Sequence, residues 1–411
     1  MEMKKYKLGE IAYFVEEKIS SDELTLNEYI TTDCLLQNKK GRTIAINLPP
    51  KSCSLTKFKK GDVLIGNIRP YLKKIWFAES AGGCSLDVLV LRAKKMEEAS
   101  FLYSLLLQDD FFDFVMKAPK GSKMPRGDKN HILTYPCFDI QNKIEVGSFI
   151  KSLDDKIALN KKINAKLEAM AKRLYDYWFV QFDYPDKNGK PYKTSGGKMV
   201  WNEVLKRKIP EGWEVKSIND ISVSYRGVGY TAKDEKTEKD KNIILILRGN
   251  NISNNHIIYN GNTVYVDKSF VLKEQEIKKF DIIITMSSGS KEHVGKSAMF
   301  LFDSAHSYGA FCNKITPNKE CQYFLENYLH SESFIKYIRH SCSGTGINNL
   351  TNEHFDNAKF SFPTESNLQL FNKKMKSIYD ERAVVEKEIQ KLTNLRGRLL
   401  PLLMNGQVEV E

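Results

Sequence analysis

Residues 150–178 read IKSLDDKIALNKKINAKLEAMAKRLYDYW, and the spacing within them decides the fold. Ile150, Leu153, Ile157, Asn160, Asn164, Leu167, Ala171, Leu174 and Trp178 recur by alternating steps of three and four. Held over about four heptads, that period reads as the seam of a coiled-coil helix. A shift of 225 positions gives a second stripe in the same phase: Met375, Ile378, Arg382, Val385, Ile389, Leu392, Arg396, Leu399 and Leu403. One helix from each stripe, paired, buries both. Asn160, Asn164, Arg382 and Arg396 interrupt the seam at a cost in stability and are suited to fixing its register.

The stripes belong to a longer repetition. At a shift of 223, Phe101-Leu102 falls on Phe324-Leu325, Leu106 on Leu329, Phe111 on Phe334, Gly121 on Gly344 and His131 on His354. Upstream, Lys59-Lys60-Gly61-Asp62 matches Lys278-Lys279-Phe280-Asp281 at 219, and Leu8 and Ile11 match Ile218 and Ile221 at 210. Loops of different length in two related copies produce such a drifting offset. Short β-rich runs at 62–66, 263–266, 281–285 and 298–302 precede helical patterns at 101–117 and 323–339. The expected fold is α+β, with two pseudo-repeated globular domains joined by two long antiparallel coiled-coil helices. The first globule spans 1–140, its helix 141–182, a connector 183–210, the second globule 211–363 and its helix 364–405. The connector contains Pro185, Gly189, Pro191, Gly196-Gly197 and Pro210 and reads as ordered but irregular.

Composition narrows the function classes. The 411 residues carry 63 Lys+Arg against 51 Asp+Glu, a formal charge of +12. That length suits two or three ordinary domains, and the composition is neither disordered nor collagenous. No run approaches the ~18 apolar residues of a membrane span, and the N-terminus leads into no apolar signal core, so the expectation is a cytoplasmic chain with no membrane partner. Seven cysteines without a C-x-x-C pair argue against a disulfide framework and a zinc site, and no metal is expected. The positive excess fits either simple solubility or a polyanionic partner.

Catalytic signatures begin and then fail. Ser290-Lys291-Glu292-His293-Val294-Gly295-Lys296-Ser297 resembles a phosphate-binding loop, but Gly289 stands one residue too early and a β-like run follows where a helix is required. It reads as a strand-turn-strand tip. The nearest string to an amino-methyltransferase tetrapeptide, Asn47-Leu48-Pro49-Pro50, has an intruding Leu, and no G-x-G cofactor loop accompanies it. His131 and His354 occupy equivalent positions and read as structural hydrogen-bonders. No catalytic residue is assigned.

Basic and hydrogen-bonding loops recur in equivalent places. Residues 117–129 hold five bases and one acid, net +4, with Lys120, Ser122, Lys123, Arg126 and Lys129 as candidate DNA contacts. The counterpart, 341–349, is uncharged but offers Thr345, Asn348 and Asn349. Lysine and arginine answer phosphates; Arg, Asn, Ser and Thr also read base edges in a major groove. Further candidates in the second copy are Arg226 and Tyr230, Arg248 and Asn250, and the tip with Ser288, Ser290, Lys291 and His293. The connector adds seven bases and one acid over 187–208. Seam positions 150–178 span about 42 Å at ~1.5 Å per residue. Globules at the ends of such a rod would meet DNA about one helical turn apart (~34 Å), which suits a target of two half-sites around an unread spacer.

The stretch 164–183, followed by Gly189-Lys190-Pro191-Tyr192-Lys193 and Ser195-Gly196-Gly197, resembles the central conserved region of type I restriction–modification specificity subunits. Ile209-Pro210-Glu211-Gly212-Trp213 resembles the family's entry into its second target-recognition domain, Leu399 to Gly406 its C-terminal helix end, and Tyr308-Gly309-Ala310-Phe311-Cys312 a segment of some recognition domains. The resemblance implies a non-catalytic reader of bipartite double-stranded DNA. Two modification (methyltransferase) subunits would dock on its helices and methylate adenines with S-adenosylmethionine, and restriction (translocase/nuclease) subunits would add ATP- and Mg-dependent translocation and cleavage. No cofactor is expected on this chain. The other readings are a stand-alone sequence-specific DNA-binding protein without enzyme partners, and an enzyme carrying its own methyltransferase or nuclease domain.

Overall fold

A computed structural model describes residues 4–120, 123–238, 240–259, 263–290, 292–341 and 348–410. The chain divides into two compact units, Met1–Asn160 with Glu388–Glu411, and Lys161–Lys387. In the first, β1 (Ala12–Phe14), β2 (Val63–Gly66), β3 (Ile75–Phe77) and β4 (Val88–Ala93) form an antiparallel sheet in the order β1-β4-β2-β3. Successive residues of a strand face opposite sides, and the unbroken apolar runs of β2 and β4 serve two cores. Val63, Ile65, Leu89 and Leu91 pack with α1 (Ala99–Leu106), α2 (Asp109–Val115) and the start of α3 (Lys143–Tyr175). Leu64, Val88 and Val90 face a smaller sheet built from Lys18–Ser20, Ser54–Phe58, Gly82–Cys84 and Tyr29–Ile30.

The second unit repeats this plan. Strands β5 (Ser222–Arg226), β6 (Ile282–Thr285), β7 (Ser297–Met299) and β8 (Cys312–Pro317) run in the order β5-β8-β6-β7, strand for strand the order of the first sheet. Helices α4 (Gln322–Leu329) and α5 (Glu332–Ser341) follow β8 as α1 and α2 follow β4, and α6 (Glu365–Met404) stands where α3 does. Each unit also closes with one antiparallel pair, Lys5–Lys7 with Pro136–Phe138 and Glu214–Lys216 with Phe360–Phe362. The matched turns before β2 and β6 share their hydrogen bond. Asp62 accepts from the Lys59 amide and Asp281 from the Lys278 amide, both at 2.7 Å. The third turn position is left-handed in both, at φ +93° for Gly61 and +72° for Phe280.

Three expectations need correction. Each continuous helical pattern is two helices: Gln108 is extended and starts α2, and the Ser331 hydroxyl accepts from the Phe334 amide to start α5. The apolar run 298–302 is strand only to Met299, because the Phe300 amide and carbonyl turn to Asp281 and Phe280. The connector is more regular than its Pro and Gly content suggests, with Met199–Asn202 and Arg207–Pro210 forming an antiparallel hairpin.

The long helices pack antiparallel within each unit. In the first, Asp154 of α3 binds Arg396 of α6, and Lys156 meets Glu388 at 2.9 Å. In the second, Glu168 of α3 meets Arg382 of α6 at 3.0 Å. Both arginine interruptions of the seam therefore sit on carboxylates of the opposing helix. Ile150, Leu153, Ile157, Asn160, Trp178, Val385 and Leu392 are buried; Leu167, Leu174, Ile378, Ile389 and Leu399 are half-buried. The seam position Ala171 is buried as well, while at three of the half-buried positions the contact shifts one step, to Tyr175, Tyr379 and Leu400. The physical reason is that the helices pack on the globules as well as on each other, with the Tyr379 ring 4.5 Å from Tyr323. The aromatic run after α3 enters the second unit's core, where Phe179 meets Phe324 at 4.9 Å and Phe371 at 4.7 Å. Among the described residues, no helix is long and apolar enough to cross a membrane.

Candidate nucleic-acid interface

In the second unit, segments far apart in sequence converge on Tyr308-Gly309-Ala310-Phe311-Cys312. The Gly227 amide donates to the Cys312 carbonyl at 3.1 Å and the Val228 amide to Tyr308 at 2.8 Å. Gly309 donates to Leu247 at 2.8 Å, while Met286 and Ser287 both donate to the Phe311 carbonyl at 2.8 and 3.2 Å. Ser287–Ser288 then pairs antiparallel with Asn348–Asn349. Four of the loops singled out in the sequence thus share one corner. Gly227 is required there, since a Cβ would lie 2.2 Å from the Gly309 carbonyl oxygen.

Side chains at this corner are polar and accessible. Arg226 ends β5 and is exposed, as are Asn250, Ser290, His293 and Asn349, while Ser288 is half-buried. Arg248 starts a short turn in which its amide donates to Asn251 Oδ1 at 2.9 Å, and its side chain is half-buried. Tyr230 is half-buried; burial raises its phenol pKa, and the adjacent Arg248 opposes that rise. His293 Nδ1 lies 3.0 Å from Lys296 Nζ. Lys291 and Thr345 lie outside the described residues, and of Asn348 only the backbone pairing is described.

The first unit builds the same corner from other residues. Pro119–Lys120 pairs with Arg126–Gly127, and the Gly127 amide donates to Asn67 Oδ1 at 2.9 Å. The Arg69 amide donates to the Pro125 carbonyl at 2.8 Å, which brings the tip after β2 against this loop. Arg126 holds Asp87 at 3.2 Å through Nε and Nη2. Lys123 is exposed, and exposed Lys129 sits 5.4 Å from the centre of the Phe14 ring. Ser122 and the Lys120 side chain lie outside the described residues. The sequence reading missed the tip with Arg69 and Tyr71, both exposed. The repeat itself held the signal, because 67–74 follows β2 as the singled-out tip 288–293 follows β6.

The two equivalent histidines have structural partners. His131 stacks on Phe114 at 4.2 Å and bonds the Phe114 carbonyl through Nε2 at 3.0 Å. His354 Nδ1 accepts from the Thr351 amide at 3.1 Å, closing the first turn of the helix Asn352–Asn357. Among the described residues, no group of three His, Cys, Asp or Glu side chains is placed to hold a metal.

Comparison with known proteins adds to this geometry. Residues 210–394 match the type I restriction modification DNA specificity domain. The chain is 26% identical over 369 residues to the type I restriction enzyme MjaIX specificity subunit of Methanocaldococcus jannaschii, covering 88% of this chain and 81% of that one. It is 25% identical to the HindI specificity subunit of Haemophilus influenzae, covering 98% and 99% of the two chains. Its fold is similar to the crystal structure of a type I restriction–modification S subunit from M. genitalium, with a TM-score of 0.57, 14% identity and coverage of 99% and 96%.

Proposed function

We infer that this chain, a member of the type I restriction–modification specificity-subunit family, binds a bipartite double-stranded DNA target and docks the enzymes that act on it. The observation that carries this reading is the repeated corner. Two sheets of one strand order each gather separate loops rich in Arg, Lys, Asn and Ser at the same place, but with different side chains. Two modules of one backbone plan with different groups at the contact suit two half-sites of different sequence. The chain itself contributes recognition and no chemistry. Two modification subunits supply adenine methylation with S-adenosylmethionine, and restriction subunits supply the ATP- and Mg-dependent steps.

The test is genetic and direct. Co-expressed with its cognate modification subunit, the chain directs adenine methylation to one split motif, read by methylome sequencing. An unchanged methylome after deletion of this chain, in a strain with an active cognate system, overturns the reading. Methyl transfer by the purified chain alone would overturn the division of labour.

A further inference from the structure

The two units share a four-residue turn that leads into the central strand of each sheet. In the first it is Ser85–Val88, closed by the Val88 amide donating to Ser85 at 3.0 Å; in the second it is Gly309–Cys312, closed by Cys312 donating to Gly309 at 2.8 Å. Its first amide bonds a parallel neighbour in both, Ser85 to Ile30 at 2.9 Å and Gly309 to Leu247 at 2.8 Å. Its third carbonyl accepts from the residue beyond β2 or β6, Asp87 from Asn67 and Phe311 from Met286, each at 2.8 Å. The backbone is therefore fixed at both ends and at its middle. Each turn nevertheless presents one large apolar side chain to solvent, Leu86 at 75% exposure and Phe311 at 70%.

A single exposed apolar residue on a surface needs no explanation. The same anchored turn carrying one in both copies, at different positions of the turn and with different side chains, calls for one. Both tips adjoin the candidate DNA loops. Asp87, next to Leu86, pairs with Arg126, and the Phe311 carbonyl holds the strand that pairs with Asn348–Asn349. Exposed Arg69 and Lys123 flank the first corner and Arg226 the second, which gives an anionic partner. We propose that Leu86 and Phe311 are specificity-determining residues, each seated against the bases of one half-site. An apolar side chain reads a thymine methyl group or wedges at a base step, while the surrounding cations hold phosphates. A turn with a fixed backbone presents its tip without an ordering cost on binding.

This inference rests on the specificity-subunit reading, and one experiment separates their failures. The full chain with its modification subunit is titrated with its methylome-defined duplex and with duplexes scrambled in one half-site, over a range of salt. Leu86→Ser and Phe311→Ser should each lose about tenfold in discrimination at a single, different half-site. The salt slope should stay as in the unaltered complex, because an apolar contact releases no counterion. Phe311→Leu should retain more discrimination than Phe311→Ser, and unchanged thermal unfolding confirms that these exposed sites leave the fold intact. Undiminished discrimination overturns the proposal. So does loss of complex assembly with DNA discrimination intact, which would make the tips a protein contact. An unaltered complex with no sequence preference overturns the specificity-subunit reading itself, and the tip assignment with it.

Discussion

The two units hold the same buried aspartate in different ways. In the first, Asp62 is clamped by Arg92 through Nε at 2.7 Å and Nη2 at 2.8 Å, and Arg92 reaches on to Glu17 at 2.6 Å. In the second, Asp281 accepts from the Thr316 hydroxyl at 2.7 Å, and Lys314 stands 3.3 Å away. The strand order, the turn and the aspartate are common to both; the partners are not. The repeat therefore retains the backbone plan and the buried aspartate while exchanging the groups that satisfy it. The candidate DNA-facing corners follow the same rule, with exposed Lys123 and an Arg126–Asp87 pair in one and Arg226, Asn250 and Asn349 in the other.

Breaking the clamps should expose this difference. Asp62→Ala removes the bidentate carboxylate from an Arg92 that is nine-tenths buried, and should cost about 3 kcal/mol or more. Asp281→Ala should cost about 1–2 kcal/mol, because Lys314 keeps the Glu276 carbonyl at 2.7 Å. Denaturant unfolding of both variants checks the order; equal losses would mean that the two clamps are energetically alike.

The next difference concerns recognition. Asn349→Ala should weaken binding to the cognate duplex by about 1–3 kcal/mol with the salt slope unchanged, as loss of a base contact does. Lys123→Ala should weaken all duplexes by about 1 kcal/mol or less and lower the salt slope by about 0.9, as loss of one phosphate contact does. Salt-dependent titrations on cognate and scrambled DNA decide both, and the opposite pattern would reverse the roles given to the two corners.

Why the sequence carried some of this and not the rest is visible in particular residues. The period from Ile150 to Trp178 and the matched Lys59–Asp62 and Lys278–Asp281 turns made the duplication legible, because helix period and turn chemistry are local. The breaks at Gln108 and Ser331 were hidden, since apolar residues continue across both. The shift from Ile378 to Tyr379 arises from packing on Tyr323, a contact that no local spacing encodes. The basic loop 117–129 stood out by charge, but Leu86 and Phe311 are single apolar letters whose exposure exists only in the folded turn.

The smallest expected effect compares the helix pairs. In the second unit His256 Nε2 donates to Glu168 at 3.1 Å, and that bond raises the histidine pKa above its ordinary value against the pull of burial. The corresponding carboxylate of the first unit, Asp154, meets Arg396 and the Tyr103 hydroxyl instead. A raised folded-state pKa gives stability that is full below the unfolded value of about 6.5 and fades as pH rises through the folded one. Relative to His256→Asn, the unaltered chain should be more stable by up to about 1 kcal/mol near pH 6, with the gap closing toward pH 9. A gap that widens with rising pH would contradict the bond. Glu168 has its pKa pressed up by burial and drawn below the usual range by His256 and Arg382, so its own share is lost only on acidification below that range.

If two units of one backbone plan read two half-sites independently, exchanging one unit changes one half of the target. The exchange replaces residues 1–140 with the equivalent segment of one of the specificity subunits this chain resembles, and the methylome that the hybrid directs is sequenced. The expected result is a new sequence in one half of the split motif, with the other half and the spacer length unchanged. A change in both halves, or in neither, would contradict it.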